Sequence, residues 1–290
     1  LVLSREEEIA LGEQNDEPLA QEFGGPVQDE SLQRYLRDIG EEMAAVTEGE
    51  NPSLPWEFTL LDSDIINAFA LPGGKIFITR GLAQRYDNEA QLASVVGHEI
   101  GHVTARHIND AMVRQMGVQA VAAAAGIAVS AATDDEGAGA AGGLIVAGAQ
   151  QGAGLVSLKF NRDQEIEADK LGMRYMSRIG YNPIGARQAM QVLADLGSRA
   201  AGPMEWLSTH PDPARRVDII AERLRREYPR ALENPEQDLF AARYRDAFLD
   251  PLNRLHPLDD GGSADGGQRR GATALAWCSV CAAGAQHGTP

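Results

Sequence analysis

The sequence predicts an α+β domain, mostly helical, with one small antiparallel β-sheet. Three observations predict it. Apolar residues recur at helical spacing through most of the chain. A strand–turn–strand pattern is confined to residues 56–79. After residue 86, Asp and Asn residues stand where helix caps belong, ahead of helical runs. The domain is expected over residues 1–255, with 256–290 as a disordered tail.

The elements follow in order. Ser4 and Glu7 have the spacing of a capping box and open a first helix. Leu32, Tyr35, Leu36, Ile39, Met43 and Val46 form the apolar stripe of a second. Pro52 and Pro55 end it. Residues 56–61 read as a strand, Leu71-Pro72-Gly73-Gly74 as a turn and 75–79 as a second strand. Asp87 caps a helix expected from Asn88 to Asp110. Two small-residue segments, 112–132 and 138–158, flank the acidic 133–137. They read as a mobile helical hairpin or lid, or simply as helices packed through small residues. Asn161 and Gln164 cap a helix ending near Gly180, and another runs from Pro183 to about Leu196. Asp212-Pro213 pairs a cap with a first-turn proline for a helix to about Arg226. Residues 259–270 have the Gly, Ser and Asp content of a disordered segment.

Composition narrows the function. The 290 residues carry 26 basic and 42 acidic groups, a net charge of −16. Such a surface argues against nucleic acid as partner and against a polybasic grip on lipid. No uninterrupted apolar run reaches the roughly 18 residues of a membrane span. The chain starts at Leu1 with no basic-then-apolar leader, as a processed or truncated chain would. Cys278 and Cys281 are its two cysteines, half of a four-thiolate site at most, so no disulfide framework is expected.

The informative string is His98-Glu99-Ile100-Gly101-His102. On a helix, residues four apart share a face, so both imidazoles reach one metal ion. Glu99 is placed to take a proton from a water there. Leu92, Val95, Val96 and Val103 supply the apolar helix around them. A catalytic zinc takes three protein ligands and leaves one position open. The pattern with Gly three and His six residues after the second His fails, because Ala105 and Ile108 stand there. His107 falls about 140° round a continuous helix from His102, on another face.

The third ligand must come from further on. In residues 161–169, Glu167 shares a stripe with Lys170, Arg174 and Arg178, a solvated face. Glu165 shares one with Asp169, Gly172, Met173 and Met176, an inward face. Unless both are surface carboxylates, Glu165 needs a partner that zinc supplies. Asp169, one turn on, is then placed to accept the free N–H of a ligating histidine.

These blocks resemble zinc metallopeptidases of the HtpX, CAAX-prenyl-protease and BepA type, which are gluzincins. Asn67 to Phe77 with Gly81-Leu82 is similar to the family's edge-strand block. His98 to His107 resembles its metal helix, Glu165-x-x-Ala168-Asp169 its third-ligand block, and Thr209-His210-Pro211 to Arg216 its late His-Pro motif. The likeness spans about residues 1–230 and is nearest to the BepA-like periplasmic branch, although no tetratricopeptide repeat is visible.

The resemblance implies a zincin-like endopeptidase holding one Zn2+ through His98, His102 and Glu165, with Asp169 behind them. It implies Glu99 as the base and unfolded or misfolded envelope proteins as substrates. It also implies a periplasmic location and a contact with either a membrane surface, peripherally, or an outer-membrane assembly. His210 is either a structural loop residue or a fourth ligand that plugs the zinc and keeps the enzyme latent. Arg216 binds substrate, orients the loop or makes an ordinary ion pair. If strand 75–79 is a sheet edge beside the metal, Lys75, Ile76, Phe77 and Ile78 pair with an extended substrate. The competing reading is a latent metal-binding adaptor or chaperone-like module without significant proteolysis.

Overall fold

The computed structural model describes residues 3–49, 51–115, 153–156, 158–199 and 204–257. Most of the expected hairpin or lid at 112–158, the 259–270 segment and Cys278 and Cys281 lie outside the described residues.

The fold is α+β and mostly helical. Helix α1 (Arg5–Glu22) opens with the Ser4–Glu7 capping box. Helix α2 (Glu30–Ala44) is capped by Asp29 and buries Leu32, Leu36, Ile39 and Met43. Three strands follow, β1 (Glu57–Leu61), β2 (Ala68–Leu71) and β3 (Lys75–Thr79), in the order β1-β3-β2. Four long helices complete the domain: α3 (Glu89–Thr104), α4 (Arg162–Arg178), α5 (Ile184–Arg199) and α6 (Pro213–Glu227). A last helical run, 241–255, contains a wider turn at Arg245–Leu249. Among the described residues no helix is long and apolar enough to cross a membrane.

The sheet is mixed where an antiparallel one was expected. β2 and β3 form an antiparallel hairpin, with Phe69 opposite Phe77. Gly73 (φ 81°) and Gly74 (φ 102°) supply its left-handed turn. β1 instead pairs with β3 in parallel, Glu57 opposite Lys75 and Leu61 opposite Thr79. The chain between β1 and β2 carries β2 past β3, so sequence neighbours are not sheet neighbours.

This topology corrects the expected substrate strand. β3 lies in the middle with both edges paired, so Lys75, Ile76, Phe77 and Ile78 have no free backbone edge for another chain. All four are buried, and the Lys75 ammonium pairs with Glu57. The edge strand of the hairpin is β2.

Both faces of the sheet are covered. Phe58, Leu60, Ile76 and Ile78 face the main core, built with α2, α3, α4 and α5. Leu61, Phe69, Leu71 and Phe77 face a second cluster with Leu19, Val103, Ile108 and Leu158. Ile76, Phe77 and Ile78 at the centre of β3 run apolar without a break, as suits a strand covered on both faces.

Two glycine contacts bring α3 and α4 together. A Cβ on Gly172 would stand 2.8 Å from the backbone N of His98, and one on Gly101 would stand 2.9 Å from the carbonyl O of Ala168. The backbones therefore meet where the next section places the histidines and the glutamate.

Candidate metal centre

Helix α3 is capped by Asn88, one residue after the expected Asp87, and His98, Glu99 and His102 are all buried in it. Helix α4 opens with the Asn161–Gln164 capping box and buries Glu165 and Asp169 on one stripe. Glu167 is exposed, as its stripe required. His210 ends the short helix Glu205–Thr209, its backbone N–H donating to Trp206 O at 2.9 Å.

Four of the expected site residues converge. One donor atom each from His98, His102, Glu165 and His210 lies within 4.8 Å of the other three. His98 Nε2 is 3.0 Å from His102 Nε2 and 3.3 Å from His210 Nδ1. Glu165 Oε1 is 3.0 Å from His210 Nδ1 and 3.4 Å from His102 Nε2, and Oε2 is 3.6 Å from His98 Nε2. Tetrahedral ligands about 2.0–2.1 Å from zinc stand about 3.3–3.4 Å apart. The observed spacings straddle that value.

The charges also fit a divalent cation. Among the described residues, Glu99, Glu165 and Asp169 are buried with a single guanidinium, that of Arg216. Three carboxylates against that one guanidinium, beside three buried imidazoles, make an acid-rich donor set of the kind that holds a divalent cation. Glu99 Oε1 is buried and has no hydrogen-bond partner, and His210 Nε2 stands 3.8 Å from it, beyond reach. Such an atom needs a ligand or water to satisfy it.

Titration follows from these neighbours. Burial pushes the Glu99 carboxyl above its ordinary value, against the pull of His210 and His98. Burial works the same way on Glu165, but His210 and Arg216 overcome it and hold that group well below the usual range. Asp169 is likewise buried, yet Arg216 and His98 bring it down to about 2. Desolvation keeps His102 well below the normal histidine value, whereas Glu165 holds His210 above it despite burial.

Asp169 takes the expected place, with Oδ1 3.0 Å from His98 Nδ1. Arg216 is fully inside. Its Nε and Nη2 donate to the two oxygens of Asp169 at 2.8 and 2.6 Å, and Nη1 donates to Glu165. It therefore braces two acids of the cluster and is neither exposed nor part of a surface pair. Trp206 stacks on His210 at 4.7 Å between centroids, with the Arg216 guanidinium over its ring at 5.3 Å.

Sequence reasoning missed His107. Helix α3 stops at Thr104, and Arg106 adopts a left-handed conformation (φ 59°) before residues 107–115 resume as helix. The turn brings His107 Nδ1 to 3.1 Å from His102 Nδ1. Burial holds His107 below its ordinary value, against the pull of Glu167. No glycine marks this turn, so no residue type announces it.

A family model, peptidase family M48, matches residues 30–224. The chain is 33% identical over 222 residues to the beta-barrel assembly-enhancing protease of Escherichia coli (strain K12), a match covering 76% of this chain and 44% of that one. The Yersinia pestis protein of the same name matches at 33% over 218 residues, 74% of this chain and 43% of that one. The mitochondrial metalloendopeptidase OMA1 of Arabidopsis thaliana is 30% identical over 194 residues, 67% of this chain and 36% of that one. The chain spans less than half the length of each of these relatives. With a buried histidine–carboxylate cluster inside the matched residues, the chain belongs to the metal-dependent peptidase family M48.

Proposed function

We propose that this chain is a zinc endopeptidase for unfolded or misfolded polypeptide, held latent by His210. His98, His102 and Glu165 are the three metal ligands, and Asp169 fixes the ring of His98. The observation that carries the reading is the convergence of four donor atoms within 4.8 Å beside a glutamate whose oxygen has no partner. A divalent ion held there supplies Lewis acidity, which acidifies a water and polarises the scissile carbonyl.

The chain's own groups do the rest. Glu99 receives the proton of the attacking water and delivers it to the leaving amine. Arg216 keeps Glu165 and Asp169 ionised and oriented. The edge of β2 (Ala68–Leu71) offers backbone groups to an extended substrate, in place of the enclosed β3. Pairing of this kind makes little demand on side chains, which suits unfolded segments.

His210 lies within the donor cluster, where it takes the place a substrate or water needs. Trp206 and the backbone bond to Trp206 O hold it there. The likeness to the beta-barrel assembly-enhancing proteases favours envelope proteins as substrates, a periplasmic location and contact with an outer-membrane assembly.

The test is casein cleavage by zinc-loaded wild type, Glu99→Gln and His210→Ala. Glu99→Gln should keep zinc and lose cleavage, and His210→Ala should cleave faster than wild type. Equal cleavage by wild type and Glu99→Gln would refute Glu99 as base. Zinc-bound protein that cleaves in no variant would instead mark a chaperone-like binding module.

A further inference from the structure

On the metal reading above, the second histidine needs a group that orients it. A ligating imidazole uses one ring nitrogen, and its other N–H needs an acceptor that fixes the tautomer. For His98 that acceptor is Asp169 Oδ1, 3.0 Å from Nδ1. For His102 the atom facing Nδ1 is a second imidazole nitrogen, His107 Nδ1, 3.1 Å away. On its far side, His107 Nε2 lies 3.4 Å from Glu167 Oε2. His107 is 3% exposed, while the Glu167 side chain is 59% exposed.

We propose that His107 is a positioning residue for the metal centre: it accepts the Nδ1–H of His102, and so turns the bare Nε2 of His102 toward the cluster. Only one arrangement of protons fits the three contacts. If Nε2 of His102 is bare, a neutral ring carries its proton on Nδ1, so Nδ1 of His107 must accept. His107 then carries its own proton on Nε2, aimed at the Glu167 carboxylate. In the reverse arrangement His107 Nε2 would be a lone pair facing a carboxylate oxygen, and His102 Nε2 would carry a proton and be closed to metal.

The backbone is built for this contact. The left-handed Arg106 bends the chain back after α3 and delivers His107. Glu8 accepts from Arg106 Nε at 2.9 Å and from Asn109 Nδ2 at 3.0 Å, so α1 fixes both sides of the turn.

Three measurements test the proposal. In the zinc-loaded wild type, nitrogen-detected NMR of the histidines should show His102 protonated at Nδ1 and His107 at Nε2. A proton on Nδ1 of His107 would overturn it. Zinc affinity, read by competition with a chromophoric chelator, should fall about 10- to 100-fold in His107→Leu. His107→Asn, whose Oδ1 can take the place of Nδ1, should recover most of that loss. Wild-type affinity in His107→Leu, or equal losses in both variants, would overturn it. The visible spectrum of the Co2+ form should change in His107→Leu and return toward wild type in His107→Asn. A wild type that binds no zinc would refute the metal reading itself.

Discussion

Gly172→Ala is the sharpest test of how the site is assembled. The new Cβ would stand 2.8 Å from the backbone N of His98 and 2.9 Å from the carbonyl C of Gly97. Ordinary contact begins at 3.4 Å, so α3 and α4 must separate by about 0.6 Å. The clashing atoms are backbone, and no side chain can swing aside. Overpacking of this kind costs about 1–3 kcal/mol. Removing a mid-helix glycine returns about 1 kcal/mol of helix propensity, so the net loss of stability is small, about 0–2 kcal/mol. Zinc affinity has no such offset, because α4 carries Glu165 and α3 carries both histidines. A misplacement of this size should lower casein cleavage by roughly tenfold or more, since about 1 Å can cost a hundredfold. The assay pairs chelator competition for zinc with urea unfolding of the metal-free protein, and uses Lys170→Ala on the exposed face of α4 as control. If Gly172→Ala binds zinc as tightly as wild type while its stability rises, the close crossing is not what sets the ligand geometry.

Other perturbations follow from the same contacts. Arg216→Met strands the buried carboxylates of Glu165 and Asp169 and should cost the metal-free protein about 3–5 kcal/mol in urea unfolding, less once zinc is bound. Chelation should lower the thermal midpoint and added zinc restore it, a stabilisation of about 4 kcal/mol at a thousandfold excess over Kd. An unchanged midpoint would contradict a metal bound by the native state. Burial raises the phenols of Tyr35, Tyr181 and Tyr175, with Glu89 adding to the shift of the first two, and Tyr175 reaches about 12. Unfolded phenols ionise near 10, so their stabilisation is complete below that pH and is lost as pH rises, for Tyr175 through about 12. Unfolding measured from pH 8 to 12 should show this fall, and Tyr175→Phe should make it shallower.

The site was more legible in the sequence than the sheet that flanks it. His98, Glu99 and His102 are local to one helix, and helical geometry alone puts the two histidines on one face. Glu165 was separable from Glu167 because a buried carboxylate and a solvated one sit on different stripes of α4, and the structure buries the first and exposes the second. The sheet failed because strand order is a non-local property. The hairpin signal at Gly73-Gly74 located β3, but nothing in residues 57–79 says that β1 pairs across to it in parallel. His107 failed for a local reason. Its position was reckoned on a continuous helix, and one left-handed residue, Arg106, invalidates that angle. Arg216 was visible in the motif, but its partners lie 47 and 51 residues away on α4, so its role as a brace needed the fold.

The metal helix is also held from outside the residues that the family model matches. At its N-terminal end, Glu89 is 2% exposed and accepts from Tyr35, Tyr181 and Arg243, the last through Nε at 2.6 Å. An acid in the first turn also meets the positive end of the helix dipole. Arg243 belongs to the 241–255 run, which is fastened further by Tyr244 Oη donating to Ala83 O at 2.7 Å and by Phe248 stacked on Tyr35. Just past its C-terminal end, Glu8 of α1 is equally buried and is matched by Arg5 at 2.8 Å and Arg106 at 2.9 Å. A buried carboxylate left without its guanidinium is strongly destabilising. Residues 30–224 alone would remove Arg243 from Glu89 at one end and Glu8 from Arg106 at the other. The unit that keeps four donor atoms within 4.8 Å of one another is therefore larger than the matched segment, and both of its added pieces act on the helix that carries the histidines.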